Sequence, residues 1–116
     1  MSPRQDVRTL PLRPAVFHIL LALSARDLHG LGIADEVERA SDGVMELGPG
    51  TLYRSLSEMV DAGLIHAADP PAEGTDPRRK YYRLSASGRR LLVEEAARLR
   101  RLVEAARDRK VLPDTP

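Results

Sequence analysis

The stretch Gly48-Pro49-Gly50-Thr51-Leu52-Tyr53-Arg54-Ser55-Leu56-Ser57-Glu58-Met59-Val60-Asp61-Ala62-Gly63-Leu64-Ile65 decides how the rest of the sequence is read. Pro49 suits the first turn of a helix, where its missing N–H costs nothing, and Gly63 follows Ala62 where a left-handed residue closes one. The spacing therefore predicts a helix over about 49–62. At about 100° per residue, Leu52, Leu56 and Met59 form its inward stripe, whereas Gly50, Arg54, Ser57 and Asp61 point the other way. One face is left free to touch another molecule. Directly downstream, Leu64–Ala68 and Lys80–Leu84 read as two short strands, parted by a segment rich in Pro, Gly and Asp that cannot be regular structure.

Two further helices precede this one. The first is expected from Pro14 to about Ser24; Ala15, Val16, Phe17, Ile19, Leu20, Leu21 and Leu23 make it apolar nearly all round, which marks a central helix covered on several sides. The second, from about Leu31 to Ala40, places Leu31, Ala34 and Val37 inward and Asp35, Glu36, Glu38 and Arg39 mostly in water, and Ser41-Asp42-Gly43 ends it. After the strands, Ser85 is a plausible N-cap, and residues 88–110 contain no helix breaker, giving a helix of ~35 Å. The fold class that follows is mainly α with a small β-hairpin, a winged helix-turn-helix over residues 11–84 with a C-terminal dimerisation helix over 85–110. Residues 1–10 and 111–116 show no periodicity and are expected to be loose tails.

Length and composition agree with one domain: 116 residues, 42% of them apolar, sustain a modest core. There is no cysteine, which excludes disulfides and thiolate metal sites and suits a reducing cytoplasm. The longest apolar run, Ala15 to Leu23, is interrupted by His18 and is far short of the ~20 residues that span a bilayer; the N-terminus lacks a signal-peptide pattern. A soluble cytoplasmic protein is expected. His18, His29 and His66 are scattered, His18 reading as a core or interface histidine and His29 as a loop residue, so neither metal nor cofactor is assigned. No nucleophile–base spacing and no glycine-rich phosphate loop supports an enzyme.

The net charge of +1 hides a division. Residues 1–77 carry 6 basic and 12 acidic side chains, residues 78–110 carry 12 basic and 4 acidic, and the second stretch is therefore +8. A locally basic half is the footprint of a polyanion binder, although a solvated helix face has the same composition. The order of elements chooses. In a winged helix-turn-helix the third helix enters the major groove and the wing lies beside it, so the amino end of the 49–62 helix supplies the contacts. Gly50 allows close backbone approach, the Thr51 hydroxyl meets a phosphate or base edge, and Arg54 is the candidate base reader. Tyr53 lies at the flank of the buried stripe and is either a half-buried core residue or a phosphate contact. Ser55 and Ser57 add hydroxyls. Glu58 and Asp61 would be repelled by phosphates, which confines contact to the N-terminal half. Arg78, Arg79 and Lys80 form a charge run that would be solvated elsewhere and that, next to this helix, reads as a clamp on the sugar-phosphate backbone. Asp69, Glu73 and Asp76 oppose it.

In the C-terminal helix, Leu92, Ala96, Leu99, Val103 and Ala106 alternate at spacings of four and three, widened by Leu91 and Leu102. This seam is expected to pack on a second copy together with the first helix, a two-fold arrangement suited to a pseudo-palindromic operator; the alternative is packing within a monomer. The surrounding arginines are expected to be solvated or paired with Glu94, Glu95 and Glu104.

Taken together, residues 48–56 (GPGTLYRSL), 63–65 (GLI) and 77–85 (PRRKYYRLS) with Gly88 resemble the PadR-type regulators over roughly residues 11–92. The resemblance implies a cytoplasmic bacterial repressor, a homodimeric winged-helix protein that binds double-stranded DNA and releases it when a small-molecule effector binds near the dimer interface. It assigns DNA contact to Thr51, Tyr53, Arg54 and the Arg78-Arg79-Lys80 wing. The loop before Arg78 is longer and more acidic than the family pattern, and the single C-terminal helix marks a short-tailed member. The competing reading from the residues alone is a winged-helix module that binds protein instead of DNA, since one fold hosts both uses.

Overall fold

A computed structural model describes residues 6–70, 76 and 78–113. The order of elements is α1 (Pro14–Leu23), β1 (Leu28–His29), α2 (Gly30–Ala40), α3 (Pro49–Asp61), β2 (Ile65–Ala68), β3 (Tyr81–Leu84) and α4 (Ala86–Asp108). Helix α1 touches α2, α3, α4 and β3, as expected of a helix with so little polar surface. Val16, Ile19 and Leu20 are fully buried at the centre, against Ile33 and Val37 of α2, Leu52, Leu56 and Met59 of α3, and Leu64 and Ile65 at the start of the hairpin.

The hairpin pairs β2 with β3 antiparallel, from Ile65 opposite Leu84 to Ala68 opposite Tyr81. A third strand was not expected. Leu28 and His29 pair with Tyr82 and Tyr81, so the sheet order is β1-β3-β2 and His29 is a strand residue, not a loop residue. Two residues carry too little pattern to announce a strand. Their pairing is dictated by the wing's open edge, whose free backbone groups they satisfy.

The junction between α3 and α4 holds the structure together. Gly63 takes φ +76°; its N–H donates to the Val60 carbonyl (3.0 Å) and that of Leu64 to the Met59 carbonyl (2.9 Å), a Schellman closure of α3. Ser85 then clasps the same turn. Its backbone N–H donates to the Leu64 carbonyl (3.0 Å), its hydroxyl donates to the Gly63 carbonyl (2.6 Å), and that hydroxyl accepts from the Gly88 N–H (3.0 Å) as the N-cap of α4. Gly88 is required here because a Cβ at that position would lie 2.1 Å from the Leu64 carbonyl oxygen.

Five expectations are corrected. Leu31 is 61% exposed, and the inward face of α2 is Gly30, Ile33 and Val37. Leu31 and Val37 lie six residues apart, about 120° around the helix, too wide for one face, whereas Ile33 and Val37 lie within about 40°. Ser55 is buried, being a neighbour of Leu52 and Met59 on the inward stripe. Glu95 is 2% exposed, not on an outer face: its carboxylate accepts from the Leu12 N–H (2.7 Å) and from Arg98 Nε (2.5 Å). The segment before α1 is packed, with Val7 and Leu12 in the core; Glu95 holds it there, while residues 1–5 and 114–116 of the expected tails lie outside the described residues. Leu91 and Leu92 are buried in this protomer's own core, so the free part of the α4 seam starts beyond them.

Two outcomes follow. The paired Arg98 and the Leu12 N–H hold the Glu95 carboxyl below the usual range, burial opposing them. A depressed folded-state pKa contributes stability that is present above the ordinary glutamate pKa and lost as pH falls through the folded one. Acid denaturation of Glu95→Gln should accordingly be flatter across that window than that of wild type; parallel curves would remove the ion pair's role. Gly88→Ala should lower unfolding free energy by about 1–3 kcal/mol, measured in urea, because the clasp must open to admit the methyl group.

Candidate nucleic-acid interface

Helix α3 presents an uncovered amino end. Gly48 is extended at the N-cap, no side chain caps the first turn, and no acidic residue sits in it, so its free N–H groups and positive dipole end face solvent. Gly48, Pro49, Gly50 and Thr51 are exposed, and a Cβ on Gly50 would meet nothing within 4 Å. No contact within the chain therefore requires glycine at this position. Arg54, one turn on, is exposed and has no ion-pair partner among the described residues.

The exposed surface of α3 has two flanks. On one, Thr51 and Arg54 border a groove shared with Arg13, Pro14 and Ala15. Arg13 Nη2 donates to Glu58 Oε2 at 2.5 Å across this groove. Of the two carboxylates expected to repel phosphate, Glu58 is thereby paired with a cation, whereas Asp61 is exposed with no ion pair among the described residues. On the other flank, Tyr53 is 52% exposed and its ring lies over Gly30, where a Cβ would come within 2.7 Å of the phenol oxygen. The reading of Tyr53 as a half-buried residue describes its place: the phenol packs on Gly30 of α2 and the rest of the side chain is exposed.

Beyond Tyr53 stands the base of the wing, where Arg78, Arg79 and Lys80 are all exposed. They are not equivalent. Arg78 Nε donates to Asp76 Oδ1 (3.1 Å) and its backbone N–H to the same oxygen (2.9 Å), and this pairing pulls the Asp76 carboxyl below its ordinary range. Arg79 Nη1 donates to His29 Nε2 (3.2 Å), and Lys80 Nζ stands 5.6 Å from the Tyr82 ring centroid. The wing tip, including Glu73, lies outside the described residues.

Of the residues expected at the site, Gly50, Thr51, Tyr53, Arg54, Arg78, Arg79 and Lys80 lie exposed along α3 and the wing base; Ser55 is only 5% exposed, lining the Thr51–Arg54 groove from below. Arg13, His29 and Gly30 were not foreseen. Arg13 precedes its helix without periodic signal, and His29 and Gly30 reach the site only through the β1–β3 pairing, which no local spacing encodes.

The architecture is that of a winged helix-turn-helix with an appended helix. The model of the transcriptional regulator PadR-like family matches residues 19–94, well over half of the chain, and the chain belongs to that family. It is a PadR-like transcriptional regulator. Solved structures share the fold: a PadR family transcription regulator from Clostridium difficile R20291 (24% identity, TM-score 0.68, covering 81% of this chain and 95% of that one) and a transcriptional regulator from Clostridium thermocellum (21%, 0.67, 81% and 87%). Bacillus subtilis PadR in complex with operator DNA matches at 24% identity and TM-score 0.61, over 71% of this chain and 46% of that one. No curated protein matches in sequence. Among the described residues, no helix is long and apolar enough to cross a membrane.

Burial and the neighbouring Arg79 push the His29 imidazole below its ordinary pKa, with Asp35 opposing. Removing the guanidinium with Arg79→Ala should move the His29 titration upward in NMR; an unmoved titration would contradict the contact.

Proposed function

We propose that this chain is a sequence-specific DNA-binding repressor that acts as a homodimer on a pseudo-palindromic operator, with the N-terminal half of α3 in the major groove and the wing base on the backbone. The observation that carries this reading is the conjunction, on one surface, of an uncapped helix end at Gly50 and Thr51, an arginine with no ion-pair partner among the described residues at Arg54, and the cations Arg79 and Lys80. A helix end of this kind attracts phosphate, and an arginine one turn inside it reaches a guanine edge. The solved complex of Bacillus subtilis PadR with operator DNA supports the same use of the fold.

Dimerisation is supported by α4. Past Leu92 its apolar residues lose their cover: Ala96, Leu102 and Val103 are exposed, and Leu99 and Ala106 are partly so. A seam at a/d spacing that the described residues of its own protomer leave largely uncovered is best buried against a second copy. Release by a small-molecule effector near that interface belongs to the same proposal and rests on the family resemblance.

Mobility-shift titration on fragments selected from the source genome tests the reading, with affinity falling steeply as salt is added. Arg54→Ala should cost about 1–3 kcal/mol on the selected site and less on random duplex, while Arg79→Ala should weaken both about equally. Equal losses from Arg54→Ala on both duplexes would remove base reading. By sedimentation, wild type should be a dimer at micromolar concentration and Val103→Lys a monomer; a monomeric wild type would remove the two-fold operator.

A further inference from the structure

Arg54 and Glu58 stand four residues apart on α3, neighbours on one face of the helix, with Cβ atoms about 5–6 Å apart by helix geometry. A guanidinium and a carboxylate at that spacing pair readily, and the same residue types in the same order do so elsewhere in this chain, where Arg100 Nε lies 3.9 Å from Glu104 Oε1 on α4. On α3 they do not. Glu58 is held instead by Arg13 Nη2 at 2.5 Å, and Arg54 has no ion-pair partner among the described residues. All three side chains line one groove.

Arg13 occupies the N-cap of α1, yet its side chain makes no capping bond there. Its backbone is fixed on both sides. The Leu12 N–H before it donates to the buried Glu95 carboxylate, its own carbonyl accepts from the Phe17 N–H (3.1 Å), and Pro14 after it confines it to the extended conformation observed, φ −59° and ψ 142°. The cation is therefore presented to α3 from a held position. Because Glu95 belongs to α4, an unbroken run of bonds leads from that helix through Leu12 and Arg13 to Glu58.

We propose that Arg13 is a positioning residue that determines specificity: by occupying Glu58 it keeps that carboxylate from capturing Arg54, so the Arg54 guanidinium meets a base edge with its donors free. The role rests on the reading of Arg54 as the base reader, and it requires no contact between Arg13 and DNA. Capture by Glu58 would have to be undone before a guanine edge could be bound, so its cost falls on sequence reading. A bare carboxylate that only repelled the duplex would burden every sequence alike.

Two measurements test it, and Arg13→Ala suits both because it removes no capping bond and only an exposed pair, which contributes little to stability. In the free, isotopically labelled protein, the Arg54 Nε–H signal, assigned through Arg54→Lys, should shift in Arg13→Ala and return to its wild-type position in Arg13→Ala/Glu58→Gln. A signal unmoved by Arg13→Ala would overturn the capture without reference to DNA. On duplexes selected by the wild-type protein, Arg13→Ala should lose about twofold in affinity, the worth of one exposed pair at this spacing, and clearly less on random duplex. Adding Glu58→Gln should restore that affinity, and in an Arg54→Ala background Arg13→Ala should cost nothing. An equal loss on random duplex, a loss that survives Glu58→Gln, or no loss at all would overturn the proposal while leaving the DNA reading standing: the first is the mark of repulsion by Glu58, the second of direct contact by Arg13. A wild type that selects no duplex would end the DNA reading, and the specificity role with it, even where the Arg54 signal moves as expected.

Discussion

Everything that α3 presents depends on the clasp between its last turn and the first turn of α4. Two carbonyls, those of Gly63 and Leu64, receive the hydroxyl and the N–H of Ser85, and Gly88 lets the helix backbone sit against them. Because Ser85 simultaneously caps α4, the angle between the two helices is set by hydrogen bonds of fixed length and not by adjustable side-chain packing alone. The helix proposed to enter DNA and the helix proposed to join two protomers are thus parts of one rigid corner. Glu95 reinforces it from the other side by tying α4 to the chain entering α1.

The same economy governs charge. Much of the acidic charge of the N-terminal half near the interface is paired, Glu58 with Arg13, Asp76 with Arg78, Glu36 with Arg39 and Arg26, and Asp27 with Arg83, while Asp61 at the far end of α3 has no ion pair among the described residues. Pairing of exposed groups contributes little to stability. Its effect here is on the field, since a carboxylate with a guanidinium at hydrogen-bond distance repels an approaching phosphate far less than a bare one. Arg54 and Lys80, which have no carboxylate partner among the described residues, remain to face an anion.

How far this was legible in the sequence depends on whether the signal was local. Pro49 and Gly63 bracket α3 to within a residue, Ser85 caps α4 as its spacing announces, and the inward stripe of Leu52, Leu56 and Met59 is the observed one. Those features are decided by backbone sterics and helix period within a few residues. What stayed hidden was decided by distant partners. Glu95 looks like any solvent-facing glutamate until the Leu12 N–H, 83 residues away in sequence, is brought beside it. Strand β1 forms along the edge that Tyr81 and Tyr82 offer, and Leu31, apolar but exposed, yields the inward place to Ile33 of the same turn of α2. For the candidate site, the exposed residues of α3 and the wing were readable from period and charge, whereas Arg13, His29 and Gly30 take their roles from tertiary contact.

The central claim is that the α3–α4 corner, doubled by a two-fold axis, holds two recognition helices at the spacing of successive major grooves. The chain has no cysteine, so Ser57→Cys gives one spin label per protomer on the exposed face of α3. Pulsed electron dipolar spectroscopy on the free protein should then return a single narrow distance near one duplex turn, about 34 Å. Absence of dipolar coupling, or a distance less than about half of that turn, would contradict the account.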